Sequence, residues 1–161
     1  MNHFLEVILF QPQIPQNCGN IVRTCAVTGT KLTLVAPLGF SISDRWLKRA
    51  GLDYWEGVEV NVVDNLESYL LEEELPFTFF SSKAKKSYWQ ATYRPKTRLI
   101  FGSETTGLPA TLLERFPEAS VKIPMLEDQR CLNLATSVGI GLYEAIRQVT
   151  SLPNSPAEGD L

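Results

Sequence analysis

Six short apolar runs recur along the chain, with helix-patterned segments between most of them. The runs lie at residues 4–10, 31–35, 58–63, 77–81, 98–101 and 121–123, and helical patterns fit 19–28, 43–50, 66–74, 109–116 and 132–150. A strand that returns to its sheet through a helix runs parallel to the strand before it, so this alternation predicts an α/β fold with a mainly parallel sheet flanked by helices. In such sheets, ligands bind outside the carboxyl ends of the strands. The loops that leave those ends are therefore the places to look for chemistry.

A length of 161 residues suits one compact domain. Residues 1–152 are read as that domain and 153–161, "PNSPAEGDL", as a tail with the composition of disordered chain. No apolar run reaches the roughly 20 residues that span a bilayer, and the first ten residues carry Glu6 and lack a basic start. The expectation is a soluble, cytoplasmic protein without a membrane partner. Cys18, Cys25 and Cys131 are odd in number and form no C-x-x-C, and His3 is the one imidazole, so reduced thiols and no metal site are expected.

The net charge of −3 hides a strong asymmetry. An acidic block runs from Asp53 to Glu74, and no acid follows until Glu104. Lys83, Lys85, Lys86, Arg94, Lys96 and Arg98 fill that gap, interleaved with Tyr88, Trp89 and Tyr93, while Arg45, Lys48 and Arg49 form a second cluster. Cations beside aromatic faces suit phosphate contact and base stacking, and they equally suit a solvated loop.

Three loops stand out. In "QPQIPQNCGN", residues 11–20, two prolines set the path and Asn17 is placed to cap or to present an amide. The helix that follows contains Arg23, the one charge between Glu6 and Lys31. Such an arginine pairs with a carboxylate, reaches solvent along its stem, or waits for an anion such as a substrate phosphate. The second loop, "FGSETTGLP", residues 101–109, offers Glu104 between two glycines and matches neither the dinucleotide nor the P-loop fingerprint. The third delivers "IPMLEDQRCLNLATSVGIGLYEAI", residues 123–146, into a helix uncharged from Cys131 to Tyr143, where Asn133 is a polar group that needs partners. Gly139 and Gly141 suit close helix packing.

Together and in this order, "PQNCGNIVRTCAVTG", "FGSETTGLP" and "RCLNLATSVGIGLYEA" resemble the SPOUT class of RNA 2'-O-methyltransferases. The similarity runs from about Glu6 to Gln148, and "PLGF" followed by "RAGLDYWE" is similar to the short branch that methylates the tRNA wobble position. The resemblance implies a trefoil knot near the carboxyl end. It implies S-adenosyl-L-methionine as methyl donor, held by Phe80, Gly102, Ile123 and Cys131 with Leu132 beside them. It implies a homodimer with the first and last helices at the interface, and the anticodon stem-loop of tRNA as partner. Arg23 matches the catalytic arginine of the class; a guanidinium stays protonated, which favours an electrostatic and phosphate-clamping role over that of a base. Asn17 and Asn133 would orient backbone or substrate groups, and Glu104 would fix the knot loop or the arginine.

The expected reaction is methylation of the ribose 2'-oxygen of the wobble nucleotide, cytidine or modified uridine. Alternatives are another tRNA or rRNA site, or binding of RNA and cofactor without catalysis. Three departures bear on the choice. Thr106 stands where the subgroup usually has arginine, Cys131 where the class commonly has serine, and Ala135 replaces a second serine.

Overall fold

The computed structural model describes residues 3–41 and 57–150. Six strands, β1 (Glu6–Phe10), β2 (Lys31–Val35), β3 (Val60–Val63), β4 (Phe77–Phe80), β5 (Arg98–Phe101) and β6 (Ser120–Val121), form one sheet in the order β3-β2-β1-β5-β4-β6. Every adjacent pair is parallel. Among the described residues four α-helices accompany it: α1 (Pro15–Thr28), α2 (Leu66–Glu72), α3 (Ala110–Arg115) and α4 (Leu134–Thr150).

The strands read as continuous apolar runs because both faces are covered. Successive side chains point to opposite faces. Val7, Leu9, Leu32, Leu34, Leu99 and Phe101 therefore meet Ile21, Val22 and Cys25 of α1 and Val138, Leu142 and Ile146 of α4. Ile8, Val35, Phe79 and Ile100 turn the other way, onto Leu66, Tyr69 and Leu70 of α2 and Leu112 of α3. No described helix is long and apolar enough to cross a membrane.

Several boundaries differ from the sequence reading. α1 begins at Pro15 rather than at residue 19, with Pro15 at a position where its fixed φ and missing N–H cost nothing. Asn17 therefore lies inside the first turn instead of at its mouth. Pro109 precedes α3 as its cap, and α4 starts at Leu134, because the Asn133 side chain takes up the first free N–H groups. β1 starts at Glu6, since Phe4 has a positive φ of 54° and leaves strand geometry. The expected helix at 43–50, the basic cluster at 45–49, "RAGLDYWE" and the tail lie outside the described residues.

At the amino edge of the sheet the chain buries an ionic cluster. Arg98 Nε lies 3.3 Å from Glu6 Oε2, both side chains being nearly inaccessible. Tyr69 and Thr33 donate their hydroxyls to Glu6 Oε1, and Arg98 Nη1 donates to the carbonyls of Leu70 and Glu73. Arg98 is thus a structural cation, withdrawn from the surface stretch to which its sequence neighbours belong.

Candidate active site

The strand order reverses between β1 and β5, since β2 and β3 lie on one side of that pair and β4 and β6 on the other. Loops leaving the two strands must part there, which opens a crevice at the carboxyl edge. The structure has a cavity of about 480 Å³ at this edge, in the size range of small-molecule sites. All five residues expected to hold a cofactor line it: Phe80, Gly102, Ile123, Cys131 and Leu132. Asn17, Glu104 and Asn133 line it too. Arg23 does not; it stands on the exposed side of α1, beyond the cavity wall.

Glu104 joins two of the loops. Its Oε2 accepts the backbone N–H of Gln13 at 2.8 Å, and its Oε1 accepts the N–H of Ile14 at 3.1 Å and Asn17 Nδ2 at 3.2 Å. Ile14, the residue capping α1, has no side-chain acceptor of its own. A carboxylate from the far loop therefore supplies negative charge where the helix dipole is positive. Asn133 extends the chain of bonds, donating from Nδ2 to Asn17 Oδ1 at 2.8 Å while its Oδ1 accepts the N–H groups of Ala135 and Thr136. Glu104, Asn17 and Asn133 thus tie all three loops together around the cavity.

The 103–107 loop is held tightly. A Cβ on Gly102 would lie 2.3 Å from the backbone of Gly107, and Gly107 itself has φ of 66°, so glycine is required at both. Ser103 Oγ lies 2.9 Å from Thr106 Oγ1 and accepts the Thr106 N–H at 3.1 Å. Thr106 therefore serves the loop's own turn. On the apolar wall, Phe80 and Phe101 stack with centroids 4.5 Å apart.

The fit to S-adenosyl-L-methionine rests on this chemistry. An aromatic and aliphatic wall suits an adenine ring, and the polar lining from the glycine loop, Ser81, Ser82 and Asn133 suits its polar edge and amino-acid part. Among the described residues, no group of His, Cys, Asp or Glu could hold a metal ion. Ile14, Ser81, Ser82 and Met125 also line the cavity without a signal in the sequence that singled them out, and Lys83, expected only as part of the basic stretch, joins them there. For residues 81–83 the available signal was position, just past the carboxyl end of β4.

Burial, with a smaller repulsion from Glu104, pushes the Cys18 thiol up to about 12, and burial with Cys18 as neighbour does the same to Cys25. Cys131, in contrast, is exposed at the cavity.

The fold and this arrangement can be set beside known proteins. A tRNA (cytidine(34)-2'-O)-methyltransferase of Yersinia pestis is 40% identical over 152 residues, covering 90% of this chain and 94% of its own. A solved structure described as giving "Structural insights into the 2-OH methylation of C/U34 on tRNA" is 44% identical, with a TM-score of 0.86 and 92% of each chain covered. An AdoMet-bound rRNA methyltransferase from Sinorhizobium meliloti is 25% identical, with a TM-score of 0.82 over 94% of this chain and 59% of that one. The model of the SpoU rRNA Methylase family matches residues 5–143, which contain the whole sheet and all three loops of the cavity, and the chain belongs to that family.

Proposed function

We propose that the protein transfers a methyl group from S-adenosyl-L-methionine to the ribose 2'-oxygen of the tRNA wobble nucleotide, cytidine or modified uridine, in the cytoplasm. The observation that carries the reading is the convergence of Glu104, Asn17 and Asn133 on one cavity of cofactor size, in a chain similar over nine-tenths of its length to enzymes named for this reaction.

When bound, S-adenosyl-L-methionine supplies an electrophilic methyl on a sulfonium. The chain's task is to bring a ribose hydroxyl in line with it and to stabilise the oxygen as its proton leaves. Phe80, Ile123 and Leu132 form the apolar wall, while Gly102 and Cys131 present backbone. Asn17 and Asn133 hold the rim in register through their mutual bond, and Glu104 locks the glycine loop to α1. Arg23 clamps a substrate phosphate and stabilises the developing negative charge. A knotted path through the second and third loops belongs to this reading, supported by the likeness to relatives of the class.

A homodimer is part of the same proposal. Arg23 and Val27 on α1 and Tyr143 on α4 are exposed, and the two helices pack against each other, so a second copy covering this face would turn Arg23 toward a shared site.

The test is incubation with radiolabelled S-adenosyl-L-methionine and unmodified tRNA, followed by nuclease digestion. Label is expected on the 2'-oxygen of the wobble nucleotide and lost in Arg23→Ala with Tm unchanged; near-normal transfer by that variant would sink the role of Arg23. The rRNA relatives favour a second reading, 2'-O-methylation of rRNA or another tRNA site, which the identity of the labelled nucleoside decides. Cofactor binding without any labelled RNA would mean a non-catalytic protein.

A further inference from the structure

The basic, aromatic stretch between Glu74 and Glu104 is not one surface. β4 ends at Phe80, so Lys83, Lys85 and Lys86 leave the sheet at its carboxyl edge, where the cavity lies. β5 begins at Arg98, so Arg94 and Lys96 sit at the amino edge, a four-residue strand away, or about 13 Å. Arg98 is buried against Glu6, and Tyr93 is buried with its hydroxyl donated to the Tyr88 carbonyl at 2.8 Å. What remains beside the cavity is Lys83, Lys85, Lys86 and Trp89, all exposed, with Lys83 in the cavity wall itself.

The segment that bears them is rigidly built. Its 3-10 turn, Tyr88–Gln90, is closed by the Ser87 N–H donated to Gln90 Oε1 at 3.0 Å. The backbone locks onto the chain after β6, with Lys122 N–H donated to the Lys86 carbonyl and Tyr88 N–H to the Lys122 carbonyl. From the other side, Gln148 of α4 donates to the Ala91 carbonyl and accepts the Tyr93 N–H. An indole 58% exposed on so fixed a base is a presented surface rather than a tethered one.

Resting on the methyltransfer reading, we infer that Lys83, Lys85, Lys86 and Trp89 form a docking ledge for single-stranded RNA next to the reacting nucleotide, with lysines on the phosphates and a base stacked on Trp89. Two independent features point to this partner. Three cations without a neighbouring acid in sequence suit a phosphate backbone, and an exposed aromatic face suits unpaired bases, which stack without sequence preference. Phosphates and unpaired bases alternate along RNA and so engage lysines and indole together, whereas a protein partner would gain from the lysines only with a matching acidic patch.

The test compares three variants of the full chain with wild type: K85E/K86E, Trp89→Ala, and R94E/K96E as the control from the opposite edge. Binding of an unmodified anticodon stem-loop is measured across salt concentrations, with methyl transfer and cofactor affinity by calorimetry on the same preparations. K85E/K86E is expected to weaken RNA binding about tenfold or more near 0.1 M salt and to lower the salt slope by about 1.5 to 2. Trp89→Ala is expected to weaken it about tenfold with the slope unchanged, and Trp89→Phe to recover most of the loss. Cofactor affinity stays at the wild-type value in all of them, and the control binds RNA as wild type does. Equal losses in the control and the ledge variants, or no loss in the ledge variants while wild type methylates tRNA, overturn the ledge. So does a change of oligomeric state in Trp89→Ala without RNA, which would make the surface a protein interface. Absence of methyl transfer by wild type counts instead against the reaction.

Discussion

Asn133 Nδ2 donates to Asn17 Oδ1 at 2.8 Å, joining the loop that enters the last helix to the first turn of the first helix across 116 residues of sequence. Asn17 passes the connection on to Glu104, so each of the three cavity loops depends on the others for its position. Truncation of one should loosen all three.

Glu104 is the sharpest place to test this. Its carboxylate accepts three N–H groups at the start of α1, and loss of a cap of this kind with charge-assisted bonds costs about 2 kcal/mol. Glu104→Ala should lower Tm by roughly 4 to 8 °C in a chain of this size. Glu104→Gln, whose amide oxygen accepts fewer of those bonds, should lose part of that. Thermal scans of both decide, and an unchanged Tm in the alanine variant would show that α1 is capped without it.

Two glycines of α4 should respond oppositely to alanine. A Cβ on Gly141 would lie 2.7 Å from the ring of Phe80, in the stacked pair that walls the cavity. Gly141→Ala should cost about 1 to 3 kcal/mol and weaken cofactor binding, since the ring must shift. A Cβ on Gly139 meets nothing within 4 Å in the protomer, so Gly139→Ala should gain up to about 1 kcal/mol from helix propensity. Destabilisation by Gly139→Ala that grows with protein concentration would place this position in an interface between copies of the chain.

Cys131 should be the thiol that reacts. Exposed at the cavity, it is expected to be alkylated by iodoacetamide in the folded protein, while Cys18 and Cys25, buried and protonated, are not. Saturating S-adenosylhomocysteine should slow that alkylation severalfold, read by peptide mass spectrometry. Equal rates with and without ligand would place the cofactor elsewhere.

The same two buried thiols make stability fall at alkaline pH. Their folded pKa values, about 12, lie above the roughly 8.5 of an unfolded cysteine, so the unfolded state loses protons first as pH rises. The stabilisation is fully present below about pH 8.5 and is lost progressively between there and pH 12. Urea midpoints measured from pH 7 to 10 should decline, and Cys18→Ala/Cys25→Ala, although less stable at pH 7, should decline less steeply. Parallel slopes would mean that other groups dominate.

The local pattern of the sequence determined much of this molecule. Period-two burial on both faces requires helices on both sides, which is why the strand runs and parallel sheet were legible in residues such as Val7, Ile8 and Leu9. The three loops were legible because a chain that alternates strand and helix must expose its loops at the strand ends. Tertiary structure alone decided what those loops do to one another. Nothing near Ile14 shows that its cap comes from Glu104, ninety residues on, because that depends on β1 and β5 being neighbours at the point where the sheet reverses. By the same logic, one run of cations divides into a group beside the cavity, a pair at the opposite edge and a buried ion in Arg98, and Arg23 stands outside the cavity. Charge and spacing are properties of the chain, whereas which end of a strand a side chain occupies, and what lies beside it, is set by pairing between distant segments.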